Sequence, residues 1–241
     1  MLELKGVSKT FGGVKAVQNV SMTIAPGEVR GLIGPNGAGK STLVNLISGL
    51  LRHSRGTISI HGEGVDKLSA HQRAHLGIAR TFQNLRVFGS LTVQQNIDVA
   101  GYSGQASHRN GNDILREAIA RFDLADKLHA PASSLAYGQL RRLEIVRALA
   151  LRPRLLMLDE PAAGMNEQET DDLREALSWV RSQSDCAILV IDHDLKFIMA
   201  LSERITVLNL GAVIANGSPK EVSENRQVID AYLGEDYEHA A

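Results

Sequence analysis

The sequence predicts an α/β fold: a mostly parallel sheet covered on both faces by helices, with a block of helices set into the middle of the chain. Two observations carry this. Val29–Ile33, Leu155–Leu158 and Ala187–Ile191 are short, largely apolar runs separated by helical patterns, as strands buried on both faces are. The first of them enters a glycine-rich turn, Gly34 to Ser41, of the form G-x-x-x-x-G-K-S, which leads directly into an apolar-periodic helix.

Taken in order, Leu2–Val7 alternates apolar and polar residues and reads as a strand, and Val14–Val17 and Val20–Ile24 read as two more. Pro26-Gly27 turns the chain into Val29–Ile33, and the helix after the glycine-rich turn begins at Thr42. Gly49–Gly56 reads as a loop, Thr57–Ile60 as a strand, Asp66–His75 as a short polar helix, and Gly77–Gln83 as a strand that stops at a polar residue. From about Asn84 to Leu151 the pattern is helical. Thr92 to Gln95 has the form of a capping box, with Val93, Ile97 and Ala100 on one face. Tyr102–Asn112, rich in Gly, Ser and Asn, reads as a mobile loop. Asp113 then caps a helix that turns Ile114, Leu115, Ala118, Ile119 and Phe122 inward. Gln139–Leu151 carries Leu140, Leu143, Val146, Leu149 and Ala150 at helical spacing, with Pro153 beyond its end. Leu155–Leu158 runs into Asp159-Glu160-Pro161. Glu167–Arg181 is a helix in which Trp179 packs against the core or a neighbouring lobe, and Ala187–Ile191 runs into Asp192-His193-Asp194. Ile205–Leu208 and Ala212–Ala215 flank the turn Asn209-Leu210-Gly211 as a hairpin. Ser218, Pro219 and Glu221 supply the cap, first residue and third residue of a last helical segment.

At 241 residues, 44% hydrophobic and 22% charged, the chain has ample material for a core. A net charge of −1 gives no global attraction to nucleic acid or anionic lipid. The single cysteine, Cys186, stands by the apolar run AILVI and reads as a buried, inert thiol. The N-terminus lacks a signal-peptide core, and no apolar run approaches about 20 residues. The expectation is a cytoplasmic protein; if it works at a membrane, something else holds it there.

The chemistry centres on Gly34-Pro35-Asn36-Gly37-Ala38-Gly39-Lys40-Ser41. Its glycines let successive N–H groups point inward around phosphate oxygens. Lys40 adds a charge aimed at the β- and γ-phosphates, and the Ser41 hydroxyl suits Mg²⁺. Thr42 opens a helix whose positive end favours an anion. In a parallel sheet, ligands gather at the C-terminal ends of strands. Gln83, Asp159, Glu160 and His193 all fall at such ends. Asp159 suits a Mg²⁺-associated carboxylate acting with Ser41, Glu160 a base that polarises water, and His193 a γ-phosphate contact.

With these residues in place the chain resembles the ATP-binding subunits of ABC transporters, over essentially its whole length. The signature stretch Leu135-Ala136-Tyr137-Gly138-Gln139, followed by LRRLEIVRALALRPRLLMLDEP, carries the resemblance most specifically. It implies a P-loop NTPase core with an N-terminal antiparallel β subdomain and an inserted α-helical subdomain. It divides the single domain 1–241 into a core lobe over 1–84 and 152–217, a helical subdomain over 85–151 and a C-terminal helical tail over 218–241. It implies ATP and Mg²⁺, and a head-to-tail dimer in which each phosphate loop is completed by the signature motif of a second ATPase subunit. Ala136 stands where the common form has Ser, so its part of that contact falls to backbone N–H groups around Gly138, with Gln139 beside them. Phe11 matches the aromatic that stacks on adenine, with Val17 packing beside it. Gln83 matches the loop that senses Mg²⁺ and water and meets the transmembrane partner. Asn166 replaces the usual Asp of the loop Ala163-Gly164-Met165-Asn166, which meets the other subunit.

A narrower similarity, in LAYGQ, EPAAGMN, IDHDLKFIM and the C-terminal AYLGE, is to the ATPases of branched-chain amino acid importers, and of related amide or urea importers. That resemblance implies permease subunits as partners, a periplasmic solute-binding protein as an indirect one, and a place on the inner face of the bacterial plasma membrane. An ABC ATPase acting on nucleic acid or ribosomes is the contrasting reading. Only the cluster Arg141, Arg142, Arg147, Arg152 and Arg154 favours it, and that cluster reads better as helix-surface charge.

Overall fold

The computed structural model describes residues 1–103 and 110–238. Two sheets organise it. An antiparallel sheet of order β2-β1-β4-β5 is built from β1 (Leu2–Phe11), β2 (Val14–Ile24), β4 (Arg55–Ile60) and β5 (Glu63–Gly64). A six-stranded sheet of order β10-β9-β3-β8-β7-β6 uses β3 (Val29–Ile33), β6 (Ile78–Arg80), β7 (Leu155–Asp159), β8 (Ala187–Ile191), β9 (Arg204–Asn209) and β10 (Ala212–Gly217). Within it β9, β3, β8, β7 and β6 pair in parallel, and β10 closes the edge as the second arm of a hairpin.

Side chains alternating along the parallel strands feed two cores. Leu156 and Leu158 of β7 and Ile188 and Val190 of β8 join one core, with α5 (Tyr137–Ala150), α6 (Glu167–Gln183) and α7 (Leu195–Leu201). Leu155, Met157, Ala187, Leu189 and Ile191 join the other, with α1 (Lys40–Ser48) and the antiparallel sheet. Continuous apolarity in these strands therefore reflects two buried faces. Between β6 and β7 come α2's successors α3 (Val93–Ser103), α4 (Asn110–Arg121) and α5, while α2 itself (Ala70–His75) precedes β6. Trp179 of α6 lies under the guanidinium of Arg121 of α4, 4.8 Å from ring centroid to Cζ, a packing role as expected. The chain ends in α8 (Pro219–Ser223) and α9 (Arg226–Glu238).

Several boundaries differ from the sequence reading. Val14–Val17 and Val20–Ile24 are one strand, because Asn19 takes φ 50° and absorbs a register shift without ending the pairing. The short helix starts at Ala70, capped by Ser69 and Gln72, so 66–69 is turn. β6 stops at Arg80, short of Gln83. α1 begins at Lys40 and α5 at Tyr137, each about a turn's fraction earlier than its apolar pattern. α4 begins at Asn110, which places Asp113 inside it, and Ile114 is 37% exposed where an inward position was expected. The rest of the expected loop at 102–112 is helix end at 102–103 and lies outside the described residues over 104–109.

Candidate active site

β3, β8, β7 and β6 are consecutive, parallel neighbours, so their C-terminal ends line one edge of the sheet in the order phosphate loop, His193, Glu160, Gln83. The four groups picked out as strand-end residues are therefore brought together by topology alone.

The phosphate loop is shaped by glycines that no other residue replaces. Gly34 (φ 146°) and Gly39 (φ 98°) approach backbone so closely that a Cβ would lie 2.0 Å from the Leu208 carbonyl oxygen and 2.3 Å from that of Ala16. Gly37 (φ 74°) has open space around it. Gly39 is also the N-cap of α1 and brings no side-chain acceptor, so no side chain caps the first turn, an arrangement that suits phosphate. Ala38 is buried, and its carbonyl accepts from Gly211, tying the loop to the β9–β10 turn. Lys40 Nζ donates to the carbonyls of Gly34 (2.5 Å) and Pro35 (2.8 Å), folding over the loop. Asn36 and Ser41 are exposed, and Thr42 is half-buried in the first turn of α1.

Asp159 is mostly buried and paired with Arg80 at 3.0 Å. Arg80 also reaches Asn45 and Ser48 of α1, so one guanidinium joins β6, β7 and the helix of the phosphate loop. Burial pushes the Asp159 carboxyl above its ordinary value, against the pull of Arg80, and the neighbouring Glu160 adds to the rise. Glu160 takes φ 50°, with its N–H donated across to Ile191 O at 2.7 Å, and its carboxylate accepts from Gln83 Nε2 at 3.2 Å. His193 is exposed. The preceding Asp192 is fully buried, and its oxygens accept from Ala162 N (3.1 Å) and Asp194 N (3.0 Å), which ties the loop after Glu160 to the loop bearing His193.

Phe11 is 44% exposed at the end of β1, which rules out a core role. Val17 is 1% exposed, so its side chain supports the strand from within the second core and does not face outward beside Phe11. The signature stretch forms the first turn of α5. Ala136 is the N-cap, and its N–H is accepted by Gln139 Oε1 at 3.3 Å, half of a capping box that the methyl side chain leaves incomplete. A Cβ on Gly138 would meet Glu169 at 3.3 Å, and one on Gly164 would meet the Tyr137 ring at 3.1 Å, so this turn packs on the loop and helix that follow Glu160. Asn166 caps α6 in a reciprocal pair with Glu169, at 2.9 Å each way.

Sequence reasoning missed Arg80, Asp192 and the pair Arg141 and Glu144. Arg141 and Arg142 are buried, not surface charge as expected: Arg142 pairs with Asp123 and Asp172, and Arg141 with Glu144. The available signal was the presence of charged residues on a helix already rich in apolar positions.

Comparison with known proteins identifies the family. The family model for ABC transporters matches residues 17–163, and a model for branched-chain amino acid ATP-binding cassette transporters matches residues 212–238. The high-affinity branched-chain amino acid transport ATP-binding protein BraF of Pseudomonas aeruginosa is 39% identical, covering 98% of each chain, and LivG of Salmonella typhimurium is 41% identical with the same coverage. The ADP conformation of MJ1267, an ATP-binding cassette of an ABC transporter, superposes with a TM-score of 0.85 at 26% identity, covering 97% of this chain and 98% of that one. The dimeric cassette MJ0796 gives 0.79 at 25% identity, covering 91% and 99%. The chain belongs to the ABC transporter family and is one of its ATP-binding, ATP-hydrolysing proteins.

Proposed function

We propose that this ATPase powers an importer of branched-chain amino acids, and that its catalytic edge works as follows. Phe11 stacks on adenine above β2, while Gly34 to Thr42 cradle the phosphates, with Lys40 swinging from its carbonyl contacts onto the β- and γ-phosphates. Glu160 accepts a proton from the attacking water, Gln83 holds that water and releases the carboxylate to it, and His193 contacts the γ-phosphate. The observation that carries this assignment is the Gln83–Glu160 hydrogen bond between the segments that follow two adjacent parallel strands, one strand away from His193.

Mg²⁺ fits the donor set. Ser41, Gln83 and Asp159 offer oxygen ligands, as suits an ion whose remaining positions are filled by phosphate and water. When bound, the ion neutralises phosphate charge. Asp159 would help hold it, with Arg80 keeping that carboxylate in place.

Gly138 and its neighbours close over the γ-phosphate of a second ATPase subunit, identical or related, and the loop ending at Asn166 meets that subunit. The core lobe, helical subdomain and tail divide at 84/85, 151/152 and 217/218. Among the described residues no helix is long and apolar enough to cross a membrane. In this reading the subunit sits peripherally on the inner membrane face, held by permeases and served indirectly by a periplasmic solute-binding protein. The solute is argued from the BraF and LivG relatives and the narrower motif similarity.

Glu160→Gln should bind ATP with near wild-type affinity and hydrolyse it about 10²- to 10⁴-fold more slowly, read by phosphate release. Undiminished turnover would remove Glu160 from its role. Cells lacking the gene should lose uptake of labelled leucine; loss of urea or amide uptake alone would move the subunit to those importers.

A further inference from the structure

Arg141 lies one turn into α5 and is fully buried. Its guanidinium donates to the carbonyl oxygens of Phe82 (2.6 Å) and Gln83 (2.9 Å), to the Tyr137 hydroxyl (3.3 Å) and to the Glu144 carboxylate (3.0 Å). Glu144, also buried, accepts in turn from the N–H groups of Phe82 and Arg86, at 3.3 Å each. The loop that carries Gln83 is thus gripped by its carbonyls from one side chain and by its amides from the other. Both side chains stand three residues apart on the helix whose first turn is the signature stretch. Outside this pair the Phe82 ring adds cation–π contacts with the guanidinium groups of Arg80 (4.7 Å) and Arg86 (4.3 Å).

A buried ion pair is a poor way to gain stability, because desolvation offsets most of the attraction. What it does supply here is geometry: charge-assisted bonds fixed at both partners hold one backbone segment to one helix face. We propose that Arg141 and Glu144 are positioning residues that lock the Gln83 loop to the signature turn, so that occupation of a subunit's own ATP site moves the turn it offers to its partner. The proposal rests on the nucleotide-site assignment above. Linkage makes the coupling reciprocal: ATP held by the partner against Gly138 would shift the Gln83 loop in this subunit by the same free energy. Tyr137 extends the connection, since its ring packs on Gly164 in the loop that follows Glu160.

The test is hydrogen exchange on the full chain, at a concentration where light scattering shows a monomer, with and without Mg-ATP. The wild type should show an ATP response not only in the phosphate loop and residues 82–86 but also in amides 137–141, without any partner to touch them. In Arg141→Gln, ATP affinity and the phosphate-loop response should persist while the response at 137–141 is lost; Glu144→Gln should do the same should the first variant fail to fold. A purely structural Arg141 would lower the unfolding midpoint and leave the response at 137–141 intact, which overturns the proposal, as does a wild type in which 137–141 never respond. Failure of the wild type to bind ATP, measured separately with a fluorescent nucleotide, would instead refute the nucleotide site itself and the clamp with it.

Discussion

Glu160 holds a left-handed backbone conformation that residues with side chains seldom adopt, and the bond from its N–H to Ile191 keeps it there. Such conformations cost of order 1–3 kcal/mol and persist where the surroundings impose them, commonly at active sites. The kink turns Glu160 toward Gln83 while Asp159, one residue earlier, faces Arg80, so two adjacent carboxylates receive different environments. Lys40 brings a positive charge and N–H donors to the loop. Lys40→Ala should weaken ATP binding by about tenfold or more, ~1.4 kcal/mol, measured by fluorescent-nucleotide titration. Cys186 has no such role: burial pushes its thiol up to about 12. A folded sample at pH 8 should therefore react with a thiol reagent only as fast as it unfolds, and rapid stoichiometric labelling would contradict that burial. The residue types of the site were legible in the sequence because strand-end position and spacing are local. Arg80, Asp192, Arg141 and Glu144 were not, because each is defined by a partner on a distant element.

At the scale of elements, Ser69 with Gln72 was not legible as a cap and Asp113 lies inside α4, but Thr92 with Gln95 and Ser218 with Glu221 were legible and form reciprocal pairs. Asn166 with Glu169 forms another, at the start of α6. Asn166→Ala should cost about 1 kcal/mol and lower the melting temperature by roughly 2–4 °C, read by calorimetry. Strand ends were read less well, since bulges such as that at Asn19 depend on the register of a neighbouring strand. The phosphate loop tolerates no added carbon at two positions. Gly34→Ala or Gly39→Ala would drive a Cβ into a backbone carbonyl, and both should lose ATP binding and melt earlier in the same nucleotide-titration and melting assays.

For the whole molecule, the order of four parallel strands does what no single motif does: it gathers Gln83, Glu160, His193 and the phosphate loop on one edge. The parallel sheet and the helical segment between β6 and β7 were legible from apolar runs and periodicity. The antiparallel sheet came from family resemblance, since three short alternating runs do not reveal their pairing. That edge holds only half of the proposed active site, because the turn at Gly138 belongs to α5 and is offered to another molecule. The direct test mixes two variants. Lys40→Ala spoils a subunit's own phosphate loop and leaves its signature turn, while Gly138→Asp sets a carboxylate where the partner's γ-phosphate should lie and leaves the loop. Each alone should be inactive, and the mixture should recover ATP hydrolysis at the composite site formed by one intact loop and one intact turn. A mixture as inactive as its components, or a Gly138→Asp protein that hydrolyses ATP unaided, would contradict a site completed in trans.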